Sequence, residues 1–249
     1  MAGRTPEDDP RDPSGEAAID SSSERISVPW GVFDMAAATA IVVGSFIALV
    51  LLLTPLSSVA GEDRTGLAVP WMVAAAESAL LFAVWALAIK KYRVSWGTLG
   101  LRTPRTRRNV LLVGATLVAS LLFTGTYAAV VAGLGIEALE PEPLPEELLQ
   151  GGPMVRLLTA VAIAGWVPFV EEIFFRGFLF QGLASRYGVF WGATASSAIF
   201  AGSHLMVGAM IPIFVTGLLF AWVYARSRSV WPSMAAHSAQ NLVALIVVG

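Results

Sequence analysis

The chain has 249 residues, 56% hydrophobic and 14% charged, with a mean hydropathy of +0.70 and a formal net charge of −2. Soluble domains average about 25% charged residues, so the composition excludes an ordinary soluble globule and describes a membrane protein. With no cysteine in the chain, disulfides, thiolate nucleophiles and sulfur-ligated metal are excluded as well.

Residues 1–29 carry Glu7, Asp8, Asp9, Asp12, Glu16, Asp20 and Glu24 among Pro, Ser and Gly. With little apolar surface to bury, this segment reads as a disordered acidic tail. It lacks the basic start and short apolar core of a signal peptide, so the first hydrophobic stretch is expected to stay as an anchor. Near-continuous apolar stretches follow at 35–56, 68–89, 110–134, 154–170, 190–205, 211–224 and 230–248. A spanning helix needs about 20 apolar residues. The expected fold is therefore all-α and polytopic, with about seven transmembrane helices. Gly and Pro interrupt the last three stretches, which could be broken or re-entrant where protein or a water cavity covers the backbone.

Charges sort by segment. Lys90, Lys91, Arg93, Arg102, Arg105, Arg107 and Arg108 crowd one acid-free loop, whereas loop 136–150 holds Glu137, Glu140, Glu142, Glu146 and Glu147. Arg176 with Arg186, and Arg226 with Arg228, return to the basic side. By the positive-inside rule the basic loop is cytoplasmic; the N-terminus is then cytoplasmic and, with seven spans, the C-terminus outside. The Pro-rich run Glu140-Pro-Glu-Pro-Leu-Pro145 divides the chain. The expected units are the tail 1–29, a first set of spans at 30–152, and a C-terminal core at 153–249. In the first set Glu77 stands alone in an apolar span, as a packing or pathway group without a visible partner. No internal repeat is evident.

The polar groups of interest lie in the C-terminal core. Glu171 and Glu172 sit in Trp166-Val-Pro-Phe-Val-Glu-Glu-Ile-Phe-Phe-Arg-Gly-Phe-Leu-Phe180. A charged group at a bilayer centre costs roughly 2.5–3.5 kcal/mol by insertion scales and is a functional-site hypothesis by default. Glu172 and Arg176 are i and i+4 and can pair, while Glu171 lies about 100° around the helix with no local partner. An unpaired, poorly solvated carboxylate suits a general base. The chain's two histidines follow. Phe200 and His204 share a helix face. His204 lies 33 residues after Glu171 (204 − 171), with the midpoint at Arg186-Tyr-Gly188. In a hairpin turning there, Glu171 and His204 reach the same depth. His237 and Asn241 are again i and i+4. By itself that pair reads as an interhelical clamp; with the other two motifs it reads as part of a site. His237 is only five residues past Pro232, so the two histidines align only if their helices start at different levels.

Taken in order, Glu-Glu-x-x-x-Arg, Phe-x-x-x-His and His-x-x-x-Asn resemble the CAAX-protease and bacteriocin-processing family of intramembrane proteases, over roughly residues 153–248. Eukaryotic members include the glutamate-dependent enzyme that trims prenylated CAAX proteins. The resemblance implies a catalytic core in the last four spans and a peptide or membrane-protein substrate, with the bilayer as environment and no nucleic acid. It implies that Glu171, helped by His204, activates a water, that His237 and Asn241 polarise the scissile carbonyl and stabilise the oxyanion, and that Glu172, Arg176 and Phe200 support them. Water access is expected from the cytoplasmic side. A zinc held by Glu171, His204 and His237 is one open possibility; a glutamate–water scheme needs no metal, and no His-Glu-x-x-His helix is present. Two other readings compete: a non-proteolytic membrane adaptor or bacteriocin-immunity factor of the same fold, and a proton-coupled transporter, which would call for matching halves. The bias toward Arg, Ala, Val and Gly suggests a GC-rich bacterial source and a cell-membrane location.

Overall fold

A computed structural model describes residues 26–60, 74–103, 106–142 and 152–248. Most of the acidic tail (1–25), the start of the second apolar stretch, Arg105, and Glu146 and Glu147 of the acidic loop lie outside the described residues. The described chain is helical, with no strand. Helix α1 is Val32–Ala60, α2 covers 74–92, and a 3-10 turn at Trp96–Leu99 leads toward α3, Thr106–Leu134. A helical run, Pro153–Ser203, is broken at Gly188, whose φ of 82° and ψ of 163° form the turn foreseen at Arg186–Gly188. It separates α4 (153–187) from α5 (189–203). Helices α6, Met210–Ser227, and α7, Val230–Val248, complete the bundle. The described part of each of the seven apolar stretches thus falls largely on a helix. Three helical segments (Asn109–Leu134, Pro153–Ser203 and Met210–Ser227) are long and apolar enough to cross a membrane.

The expected breaks in the last three stretches are absent from the described residues. Pro212 and Pro232 fall in the first turns of α6 and α7, where a missing N–H leaves no intrahelical bond unmade. The irregularity sits in α4 instead. Ala162–Trp166 and Glu172–Phe180 are π turns, a widening found mostly as single-turn bulges and frequently at functional sites. Every residue from Val170 to Gly182 is buried, as expected of a helix that packs on all sides. α4 is the central post of the bundle.

One end of the bundle gathers the cations. Lys91 Nζ lies 2.5 Å from Asp34 Oδ1, Arg186 approaches Gly31, and Ser229 Oγ donates to the Arg102 carbonyl at 2.8 Å. Trp96, Tyr187, Trp191, Trp222 and Trp231 are exposed near this end, as aromatics at a membrane–water interface are. At the opposite end, the Glu140 backbone packs on Gly208 in the α5–α6 connection.

The basic end is closed by packing. The turn carrying Leu99 and Gly100 wedges between α4 and the start of α7: a Cβ on Gly177 would stand 2.5 Å from the Leu99 carbonyl oxygen. The Val230 amide donates to the Gly100 carbonyl at 3.0 Å, and Tyr224 donates to that of Leu99 at 3.3 Å. Trp30 stacks on Phe178 and donates its indole N–H to the Phe178 carbonyl at 3.0 Å. The Gln181 amide serves the carbonyls of Thr98 and Gly177. Trp30, Leu99, Phe178 and Phe180 are all at 0% exposure.

Candidate active site

Glu171 closes the α turn Val167–Glu171, and Glu172 opens the π turn behind it, so the two carboxylates leave the helix at a change of pitch. Glu172 is fully buried. Its Oε1 lies 3.0 Å from Arg176 Nη1, the pairing expected from i and i+4. Arg176 is itself enclosed: its guanidinium sits 4.4 Å from the Phe200 ring centroid and 5.2 Å from that of Phe220, and Nη2 donates to the Gly217 carbonyl at 3.3 Å. With Phe175 at 5.9 Å as well, the cation has an anion on one side and three aromatic faces around it, each worth about 0.5–2 kcal/mol.

Glu171 has no partner on its own helix, as expected, but it has one across the bundle. His237 Nε2 lies 3.5 Å from Glu171 Oε2, and its Nδ1 lies 3.2 Å from Glu172 Oε1. One imidazole thus spans both glutamates. Phe220 packs against it at a centroid distance of 5.0 Å and Phe200 meets it edge-on at 5.8 Å.

The depth requirement is met by the wedge at the basic end. Because Val230 is tied to Gly100 and Leu99 abuts Gly177, α7 starts at the level of Gly177 rather than Gly188. From there Glu171 is six residues away (177 − 171) and His237 seven (237 − 230). At about 1.5 Å per residue, both reach nearly the same height. His204 arrives there by the longer arm, sixteen residues beyond Gly188 against seventeen for Glu171.

His204 caps the C-terminal end of α5, with its ring 4.8 Å from that of Phe200. Its Nδ1 lies 2.8 Å from the Phe200 carbonyl oxygen. A carbonyl can only accept, so Nδ1 carries the proton and Nε2 is left as an acceptor. The Asn241 amide donates through Nδ2 to the Ile163 carbonyl at 2.9 Å, inside the first π turn of α4. One amide N–H and the side-chain oxygen remain for other partners.

Glu171, His204, His237 and Asn241 line one cavity of about 820 Å³. Glu172, Arg176 and Phe200 stand behind its wall. The other liners include Thr39, Phe46 and Ile47 of α1, Glu77 and Leu80 of α2, Ile163 and Val167 of α4, and Leu205. On every contributing helix these residues lie at or beyond the level of Phe175, away from the basic end. Phe46, Ile47 and Leu205 are 49%, 52% and 73% exposed, so the mouth opens sideways between α1 and the end of α5. None of these described liners belongs to the basic end, the side from which water access was expected. Charge counting locates that end but does not reveal that Trp30, Leu99 and Tyr224 fill it.

The three donors considered for zinc do not assemble. Among the described residues no group of three or more His, Cys, Asp and Glu side chains could hold a metal ion. Glu171 and His237 are neighbours, and His204, with Nδ1 on the Phe200 carbonyl, keeps only Nε2 free. The residues present do not fit a three-ligand metal centre. Sequence reasoning passed over Phe220, which helps to enclose Arg176, and read Glu77 only as a packing or pathway group, not as a liner of the cavity.

Comparison with known proteins agrees with the three motifs. Residues 153–243 match the family model described as Type II CAAX prenyl endopeptidase Rce1-like, so this segment is similar to that family. The chain is also similar to the protein named "Putative membrane peptidase YdiL" of Bacillus subtilis (strain 168), with 26% identity over 123 residues. That alignment spans about half of each protein, 49% of this chain and 48% of the relative. No solved structure matches the chain.

Proposed function

We propose that the protein is an intramembrane endopeptidase in which Glu171 and His204 activate a water and His237 and Asn241 stabilise the oxyanion. The observation that carries this reading is the convergence of these four side chains on one cavity with a lateral, apolar mouth. The water oxygen forms the bond to the scissile carbonyl carbon as its proton passes to Glu171 or to the free Nε2 of His204. Negative charge collects on the carbonyl oxygen, where the second Asn241 N–H is the available donor and His237, protonated between the two glutamates, adds positive charge; such preorganised groups usually supply the largest catalytic term. The C–N bond then breaks, and the amine leaves with the proton that the base took from water. Glu172 and Arg176 hold His237 at the height of Glu171 without touching substrate.

The substrate enters from the bilayer, between α1 and the end of α5. The cationic end faces the cytoplasm, with all seven helices crossing the membrane, and segment 153–249 forms the catalytic core behind the spans of 30–152. The adaptor reading gains no specific support, and the unlike halves of the bundle speak against a transporter. The deciding measurement is cleavage of a fluorogenic hydrophobic peptide by the purified protein in liposomes. Glu171→Gln should lower turnover by at least about 10²-fold, the usual scale of general acid–base catalysis. Cleavage that persists at the wild-type rate would remove Glu171, and the mechanism with it.

A further inference from the structure

Among the described residues Glu77 is a carboxylate without a counter-charge. Other buried carboxylates in the described structure hold a cationic or imidazole partner: Asp34 has Lys91, Glu172 has Arg176 and His237, and Glu171 has His237. Glu77 Oε2 is buried with no hydrogen-bond partner, and no ion pair to Glu77 is formed among the described residues. Its position is nonetheless fixed. Trp166 of α4 donates to the Ala74 carbonyl at 3.1 Å, pinning the turn of α2 that carries Glu77. The side chain lines the same cavity as Glu171, His204, His237 and Asn241, from a helix outside the segment 153–243 that matches the family. Its companions on α1 and α2 are mostly apolar: Val42, Val43, Ala76 and Leu80.

Two carboxylates facing one poorly solvated space repel each other unless one is neutralised or a cation lies with them. The guanidinium of Arg176 is not available, being enclosed behind the wall by Phe200, Phe220 and Glu172. None of the cavity liners among the described residues is a lysine or arginine. We propose that Glu77 is a specificity-determining residue that receives a cationic group of the substrate, a lysine or arginine side chain flanking the scissile bond. The inference rests on the peptidase reading only for the substrate being a peptide. The lateral apolar mouth admits the hydrophobic stem of such a side chain, and the ammonium or guanidinium head meets the carboxylate at its inner end.

The test measures binding separately from cleavage. Two Ala/Leu peptides of about 20 residues, long enough to span a bilayer, differ at one central position, lysine in one and the neutral norleucine in the other. Their dissociation constants are measured on protein in nanodiscs carrying His204→Asn, so that turnover does not consume the probe. The lysine peptide should bind about ten- to a hundredfold more tightly, the scale of one hydrogen bond to a charged group. Glu77→Gln should abolish that preference, and Glu77→Asp should keep part of it. Equal binding of the two peptides would overturn the proposal. So would a lysine preference that survives Glu77→Gln, which would put the cation elsewhere. The peptide pair is compared in protein with Glu77 intact, so the outcome does not depend on the Glu77 variants folding. The peptidase reading fails differently: the wild-type protein would bind the lysine peptide selectively through Glu77 yet never cleave it.

Discussion

Removing Arg176 is the most discriminating perturbation of the site, because the residue is fully buried and touches no substrate. In Arg176→Met the side chain keeps much of its volume between Phe200 and Phe220 and loses only the charge. The lost attraction to Glu172 is about 4 kcal/mol for unit charges about 4 Å apart at an effective dielectric of about 20. Breaking one partner of a buried pair typically costs about 3–5 kcal/mol, since the other charge is left uncompensated. Glu172, at 0% exposure, would retain only His237, which would be drawn from Glu171 toward Glu172. Two results should follow: a loss of stability of about 3–5 kcal/mol, and a fall in turnover larger than the fall in folded fraction. Adding Glu172→Gln removes the orphaned charge and should recover more than half of the stability without restoring the wild-type rate. Stability is read by denaturant titration in detergent micelles, and turnover with the fluorogenic peptide on the folded fraction. If Arg176→Met unfolds within about 0.5 kcal/mol of wild type, the pair contributes far less than a buried one should. If the double variant is less stable than the single, the charge accounting is wrong.

Further outcomes follow from the same geometry. His204→Asn, whose amide can replace Nδ1 in donating to the Phe200 carbonyl, should keep the fold and lose about 10²–10⁴-fold in turnover; a rate near wild type would show that Nε2 takes no proton. Strong chelators should leave peptide cleavage unchanged, because no three ligating side chains among the described residues stand close enough together to hold a metal ion; loss of activity reversed by added zinc would contradict this. Gly177→Ala forces a methyl group against the Leu99 carbonyl and should destabilise by about 1–3 kcal/mol, as overpacking does. An unchanged unfolding midpoint would show that the wedge gives way easily. Beyond the apolar stretch of α2, the contact with Asp34 holds the Lys91 ammonium above the usual lysine pKa, and Tyr92 is held up for the same reason. For groups raised on folding, the stabilisation is complete below the unfolded pKa and disappears as pH climbs through the folded one. The link from α1 to α2 should therefore hold to about pH 10 and weaken above it, with Tyr92 ionising after exposed tyrosines in an ultraviolet titration. Tyr92 ionising with or before them would reverse the sign.

Those features that depend on neighbours along one helix were readable from the sequence. The spacing of Glu172 and Arg176 announced their pair, and equal counts either side of Gly188 put His204 at the depth of Glu171. His237 was harder. Its height is set by the hydrogen bond from Val230 to Gly100 across 130 residues (230 − 100), and its contact with both glutamates depends on a π turn that no local pattern discloses. Glu77 stood out only as a lone carboxylate in an apolar span, since its place on the cavity depends on how α2 is turned. Counting cations gathered Lys91, Arg102 and Arg186 at one end but also placed there Arg176, which is buried beside Glu172, and it did not give the cavity's direction. That direction depends on Leu99 and Trp30, which look like ordinary apolar residues until the chain folds.

The attachment of α1 has its own consequence. Its first turn is fastened by Asp34 to Lys91 and Tyr92, and its approach by Trp30 to Phe178. The half that walls the cavity, from Val43 to Ile47, is exposed on its outer side. A helix tethered at one end tilts in response to the thickness of the surrounding bilayer, at fractions of a kcal/mol per ångström of mismatch. Under the proposed function, the width of the doorway, and with it the girth of peptide admitted, is then a joint property of protein and lipid. The same chain should accept different substrates in thin and thick membranes.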